Sequence, residues 1–301
     1  MVNESLNVTS SASEASDGDE SFSNAEILTV MAAIANATLY EELEMARVQT
    51  EETSRIKQQL LHKISHEFRT PLNGMIGFLK LILDGMADDP EDQMEFVQEA
   101  HNSALRLLNH IEDFLDLAKL QNNQMPVELS SVHLDELLRD VNKFTRSKAE
   151  KKGLTYSVSA TETRDEIILL CNYPGLLQVM LNLVGNAIKF THEGGVEIRA
   201  EAIPKKFDSL GREYPGSMRI SISDTGIGVA LDKQSKIFEA FYKVDGSHTA
   251  RYEGTGIGLT ISKGLIEAMG GQVNFFSLGE DLGSTVTLTI PLQQLPIIIK
   301  D

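Results

Sequence analysis

The sequence predicts two kinds of domain in one chain: an all-helical hairpin, then an α+β domain with a largely antiparallel sheet. Three observations predict it. From about Ala25 to Asp84 the apolar residues keep a helical period. A second stretch with Phe96, Ala100, Leu107, Ile111, Phe114 and Ala118 on one face follows the turn Asp84-Gly85-Met86-Ala87-Asp88-Asp89-Pro90, and Pro90 can open its helix. Beyond Met125-Pro126, helical segments (about 133–151, 174–190 and 257–269) mix with β-rich ones (154–159, 166–171, 195–203, 217–223, 272–277 and 284–291). The β-rich runs lie in adjacent, hairpin-like pairs. Residues 204–216, with two prolines and two glycines, read as an exposed hairpin loop.

Taken in order, residues 1–24 are rich in Ser, Asn, Asp and Glu and are expected to be disordered. Residues 25–60 form a linker helix. In and just beyond it Leu39, Leu43, Ala46, Thr50, Thr53, Lys57, Leu60 and Ile64 alternate spacings of four and three, a coiled-coil seam with a polar middle. A long helix with one apolar stripe is not stable alone, so a dimer is the natural way to bury it. Residues 61–125 hold the helical hairpin; two copies would make an antiparallel four-helix bundle. Residues 126–295 are the α+β domain, and 296–301 a tail.

Composition narrows the function. The 301 residues carry a net charge of −17. Residues 1–130 hold 23 acidic and 8 basic side chains, and the rest of the chain has a net −2. Such a surface repels nucleic acid and anionic lipid. The longest nearly apolar run, Ile27 to Ala37, is too short to span a bilayer, and no basic, then apolar, signal opens the chain. A cytoplasmic location is expected. The single cysteine, Cys171, excludes an internal disulfide and sits in an apolar run as a buried hydrophobe.

The chemistry begins at Ser65-His66-Glu67-Phe68-Arg69-Thr70-Pro71-Leu72. Ile64, Phe68, Leu72, Met75, Leu79 and Ile82 trace the apolar stripe of this helix, and His66 falls off it, toward solvent. Pro71 has no N–H and its ring crowds the carbonyl of Glu67, so the helix is expected to bend beside the histidine. The other six histidines (62, 101, 110, 133, 192 and 248) are read as ordinary side chains.

Three further segments share the second domain. Asn182, Asn186 and Lys189 fall at i, i+4 and i+7 on one helix. Two amides and an ammonium so aligned suit Mg²⁺ and a phosphate chain, and equally form the polar face of an ordinary helix. Asp224-Thr225-Gly226-Ile227-Gly228 follows a strand, where a carboxylate can accept a hydrogen bond from an exocyclic amine such as adenine's. Gly254-Thr255-Gly256-Ile257-Gly258-Leu259 opens an apolar helix, a place where backbone N–H groups can meet phosphate. Between them lie Phe238-Glu239-Ala240-Phe241 and a polar run from Tyr242 to Glu253. That run is either a surface loop or a lid whose Lys243 and Arg251 reach phosphates. No P-loop pattern and no protein-kinase motif occurs.

In this order the segments around His66, Asn186, Asp224, Phe238 and Gly254 resemble the H, N, G1, F and G2 boxes of the sensor histidine kinases of two-component systems. The resemblance covers residues 39–293 or so. It implies a dimeric antiparallel four-helix phosphoacceptor bundle followed by an α/β sandwich ATP-binding domain of Bergerat type. It further implies ATP and Mg²⁺ as cofactors, a homodimer, and a response regulator as partner. His66 would be the phosphoacceptor, Glu67 its general base, and Thr70 the residue that positions water for phosphatase activity. Asn186 would ligate Mg²⁺ with Asn182 in support and Lys189 on the phosphates. Asp224 would read adenine, and Phe190, Gly226, Gly228, Phe238, Phe241, Lys243, Arg251, Gly254, Thr255, Gly256, Gly258 and Leu259 would shape the pocket and its lid.

Two departures stand out: Asn172 where the family often has Asp, and Glu253 where another Gly is common. The ATP-hydrolysing relatives of this fold carry a water-activating Glu one turn before the Mg²⁺-binding Asn. Here that position is Asn182, which is no base, so transfer to His66 is expected over hydrolysis. The rival reading is a non-catalytic dimeric scaffold, against which all the motif residues are present. The helix from Ile27 to Arg47 resembles the last helix of a GAF sensor domain, or is a generic amphipathic linker. No receiver-like segment follows Pro296, so the acceptor aspartate is expected on a separate protein.

Overall fold

The structure, a computed structural model, describes residues 24–122, 127–209, 211–244 and 254–299. Of the segment expected to be disordered, residues 1–24, all but Asn24, the first residue of a helix, lies outside them. The chain divides into two compact units, Met1–His62 and Lys63–Asp301. The second unit holds the described residues of both the helical hairpin from Lys63 onward and the α+β part.

In the first unit the described residues belong to helix α1 (Asn24–Leu83). Leu39 and Leu43 of the expected seam are about two-thirds exposed, and Arg47 pairs with Glu51 one turn on at 2.9 Å. The side chains of Thr53, Lys57 and Leu60 lie outside the described residues.

The second unit opens with the end of α1, which contains Pro71. The turn after it uses Gly85 at φ +70°, and helix α2 (Pro90–Gln121) starts where Pro90 predicts. Asp89 caps it by accepting from the N–H groups of Glu91 and Asp92, both at 2.8 Å. Phe68 meets Phe114 edge-on at 5.3 Å and Phe78 lies 6.3 Å from Phe96, which holds the two helices as an antiparallel hairpin. Ala100, Ser103, Phe114 and Leu117 are buried there. Ile111 and Ala118, expected on the same face, are exposed instead.

The α+β part adds β1 (Ser130–His133), α3 (Leu134–Lys151), β2 (Thr155–Ala160), β3 (Ile168–Cys171), α4 (Tyr173–Phe190) and β4 (Gly195–Ile203). A short hairpin follows, β5 (Phe207–Ser209) with β6 (Arg212–Tyr214), within the segment read as a hairpin loop. Then come β7 (Ser217–Asp224), α5 (Gly258–Ala268), β8 (Gln272–Phe276) and β9 (Ser284–Pro291). The main sheet runs β2-β4-β7-β9-β8, antiparallel except for the parallel pair β2–β4.

One expected pairing is corrected. β2 and β3 are not a hairpin; β3 pairs antiparallel with β1 and bridges Leu292 beyond β9. Leu169 and Cys171 of β3 are fully buried, so this strand belongs to the core and not to the sheet edge that β2 occupies. Strict alternation puts Val196, Ile198 and Ala200 of β4, Met218, Ile220 and Ile222 of β7, and Leu288 and Ile290 of β9 inward. Leu137 and Val141 of α3, Leu176, Val179 and Met180 of α4, and Ile261 and Ile266 of α5 are the buried residues of the helical layer. The result is a two-layer α/β sandwich.

Burial pushes the Cys171 thiol up to about 12. We therefore expect no reaction of native protein with a thiol-specific disulfide reagent, and one thiol titrated after unfolding. Rapid modification of the folded chain would show that β3 opens readily.

Candidate functional site

The site starts with α4. Asn172 sits at its N-cap and accepts from the Gly175 N–H at 2.8 Å, while its own amide reaches the Glu128 carbonyl at 3.2 Å. Asn at this position is thus a cap, which is the role Asp would also serve. The buried stripe Leu176, Val179, Met180, Leu183, Val184 and Ala187 fixes the rotation of the helix. That rotation turns Asn182, Asn186 and Lys189 toward a cavity of about 680 Å³, a size suited to a nucleotide.

Around the same cavity stand Phe190, Asp224, Gly228, Lys243, Gly254, Thr255, Gly256, Gly258 and Leu259. Asp224 ends β7 with its carboxylate held by three donors: the Gly226 N–H at 2.8 Å, the Ser284 N–H at 3.3 Å and the Ser284 hydroxyl at 2.5 Å. Gly228 sits at φ +58°, and a Cβ there would lie 2.0 Å from the Gly279 carbonyl oxygen, so only glycine fits. Gly256, at φ +72°, presses on Phe241 and Tyr242; its carbonyl accepts from the Phe241 N–H at 2.9 Å. Asn182, on the same cavity, also makes a bond within the protein. Its amide donates to the Ser262 hydroxyl at 2.8 Å and packs against Gly258, tying α4 to the start of α5.

The lid residues also take up positions the sequence does not suggest. Phe241 adopts φ +65° and stacks on Phe114 of α2 at 5.9 Å, with the Lys63 ammonium 5.4 Å from its ring. Phe238 lies away from the cavity lining, its carbonyl accepting from the Thr260 hydroxyl at 2.9 Å and the Lys263 ammonium 5.8 Å from its ring. Lys243 borders the cavity, but its Nζ pairs with the Glu67 carboxylate at 3.1 Å. Arg251 lies outside the described residues.

His66 is exposed on α1, as its place off the apolar stripe predicts. The Thr70 hydroxyl turns back to the His66 carbonyl at 3.4 Å. Two further residues of the site escape the sequence: His110 and Asp113 of α2, which line the cavity opposite α4. Asp113 accepts from the Thr255 hydroxyl at 3.2 Å, and burial pushes its carboxyl above the ordinary value against the pull of that bond.

Known proteins carry the same parts in the same order. The family model described as "His Kinase A (phospho-acceptor) domain" matches residues 56–123. That described as "Histidine kinase-, DNA gyrase B-, and HSP90-like ATPase" matches residues 171–294. The sensory/regulatory protein RpfC of Xanthomonas campestris is 35% identical over 238 residues, 78% of this chain and 31% of that protein.

The chain belongs to the sensor histidine kinases.

It spans about a third of the length of such relatives. Among solved structures, full-length ShkA in complex with AMPPNP superposes on this chain with a TM-score of 0.56 at 30% identity, covering 80% of this chain and 47% of that one. The histidine kinase ThkA, solved in complex with the response regulator protein TrrA, shares the fold at a TM-score of 0.55 and 21% identity, over 80% and 63% of the two chains. In this chain the phosphoacceptor match ends at the close of α2, and the ATPase match begins at the last residue of β3. The helix–sheet sandwich expected of the second domain and the helical hairpin of the first are therefore both present. No helix of the described residues is long and apolar enough to cross a membrane.

Proposed function

We propose that this chain binds Mg²⁺-ATP in the cavity between α4, the Asp224 segment and the Gly254 segment, autophosphorylates His66, and passes the phosphoryl group to an aspartate of a response-regulator receiver domain. The observation that carries this reading is the run from the cavity to the acceptor helix. Lys243 and the wall residues His110 and Asp113 join a pocket lined by Asn186, Lys189 and Asp224 to the turn of α1 that holds His66 and Glu67. ShkA holding AMPPNP supports an adenine nucleotide in the pocket, and ThkA with its regulator supports the partner class.

The division of labour follows from the side chains. Asp224, oriented by Gly226 and Ser284, accepts from the adenine amine. Asn186 offers an amide oxygen to Mg²⁺. Among the described residues no cluster of three or more His, Cys, Asp or Glu side chains can hold a metal, so the ion would share phosphate oxygens and water with this one ligand. Lys189 faces the phosphates. At His66 the Nε2 lone pair attacks the γ-phosphorus and the bond to the bridging oxygen breaks, releasing ADP. Glu67 takes the Nδ1 proton, which requires its pair with Lys243 to open first.

The dimer is read from what the single chain leaves uncovered. Leu72, Ile76, Leu79 and Leu83 of α1, and Leu105, Leu108, Ile111 and Leu115 of α2, are 38–85% exposed. A continuous apolar face of this kind on both helices of a hairpin is what a second copy would bury to form the four-helix bundle. The exposed Leu39 and Leu43 extend the same need into the linker. Action on ATP and a soluble regulator places the work in the cytoplasm.

The test is direct. Incubation with Mg²⁺ and γ-labelled ATP is expected to give acid-labile, alkali-stable phosphate on the chain, and no such label would refute the assignment. Thr70→Ala should keep autophosphorylation within about threefold, since the hydroxyl makes only a long contact to a backbone carbonyl, and lower dephosphorylation of the regulator at least tenfold. Equal loss of both activities would make Thr70 a structural residue.

A further inference from the structure

Pro71 leaves a specific gap in α1. In a helix the N–H of residue 71 would donate to the carbonyl of residue 67, and proline has none to give. That carbonyl belongs to Glu67, beside His66. The structure places the Nδ1 atom of His110, from the middle of α2, 3.1 Å from this oxygen. A carbonyl oxygen only accepts, so Nδ1 carries the proton and donates. The ring is half-buried, and it also forms part of the cavity wall that ends at Asp113 and Thr255.

We propose that His110 is a positioning residue for phosphoryl transfer: it supplies, from α2, the hydrogen bond that Pro71 removes, and so fixes the Glu67 peptide against the nucleotide cavity. The inference rests on His66 as the acceptor. Its physical logic does not depend on the motif. An unsatisfied carbonyl at a break in a helix lets the turn shift, and a shift of about 1 Å at the reacting groups is enough to cost up to about a hundredfold in rate. His110 couples that turn to the pocket wall, so the base and the nucleotide keep one frame.

The experiment is a cycle of variants on the full chain with Mg²⁺ and ATP. His110→Ala is expected to slow the initial rate of His66 labelling about tenfold, the worth of one lost hydrogen bond to a part-buried carbonyl. Affinity for a fluorescent ATP analogue should fall by clearly less than the labelling rate, because the ring, although part of the cavity wall, spends its Nδ1 proton on the backbone. His110→Asn, whose amide nitrogen falls near the Nδ1 position, should restore most of the rate. In the Pro71→Ala background, where residue 71 again has an N–H, replacing His110 with Ala should cost at most about a third of its former effect. The same four-variant cycle read in melting temperature reports the coupling even if Pro71→Ala is itself inactive. An Asn variant as slow as the Ala variant, or equal losses of rate and melting temperature in both backgrounds, would overturn the proposal. Absence of label on the unaltered chain would instead refute His66 as acceptor, and the melting cycle would still decide the hydrogen bond.

Discussion

His66→Gln is expected to leave no acid-labile phosphate on the chain, a loss of at least about a thousandfold given that nothing else replaces the nucleophile. Glutamine keeps the approximate length of the side chain and places an amide nitrogen near the Nε2 position. Its lone pair is delocalised into the carbonyl, so it does not attack phosphorus. The side effects should be small. His66 is exposed, so its replacement should change stability by no more than about 0.5 kcal/mol. It is not among the residues that line the cavity, so ATP binding should be unaffected. The combination of intact fold, intact nucleotide affinity and absent label separates an acceptor from a structural histidine. Undiminished labelling of the variant would remove His66 from the role and turn attention to His62 or His101, the other exposed histidines of the hairpin.

Much of this site was legible because its residues sit at fixed offsets on regular elements. Asn182, Asn186 and Lys189 share a helix face by period alone, and the structure finds them on one cavity. Asp224 follows an alternating strand, and its place at the strand end needs no long-range information. The parts that escaped the sequence are set by packing between elements. His110 reads as one polar residue among many on α2; its meaning comes from a carbonyl 43 positions earlier that Pro71 deprives of a donor. The clue was present in the proline, but nothing local says which residue answers it. Lys243 was read either as a lid cation that reaches phosphate or as part of a surface loop; its pairing with Glu67 of α1 depends on contact between distant segments, which the sequence does not reveal. Asn182 likewise aligns with Asn186 but bonds Ser262, since the close approach of Gly258 brings α5 within reach.

The fold shows the same division. Strand and helix limits followed from alternation and period, whereas the partners of β2 and β3 did not. Both strands are short, and adjacency favours pairing them. What decides the matter is burial: β3 carries Leu169 and Cys171 into the core, and β2 has one half-buried face only. A strand buried on this scale must lie where both layers cover it, and that place is beside β1, under the end of β9.

Asp224→Ala is expected to raise the ATP dissociation constant between about tenfold and a hundredfold, the cost of removing a charged acceptor from a buried hydrogen bond. The carboxylate is preset for the task. Gly226 and Ser284 hold it in place before any ligand arrives, so little ordering is lost on binding, and its removal leaves those donors unanswered as well. Affinity alone would not distinguish recognition from a collapsed pocket, so the base should be varied too. Inosine triphosphate replaces the exocyclic amine by a carbonyl, which a carboxylate repels. The unaltered chain should therefore prefer ATP over inosine triphosphate by at least about tenfold, and the variant should lose most of that preference while its circular dichroism stays native. Unchanged affinity, or an unchanged preference between the two nucleotides, would place the adenine elsewhere in the cavity. The predicted loss of discrimination would tie the base to the end of β7, and with it the phosphate chain to the opposite wall of α4, where Asn186 and Lys189 stand.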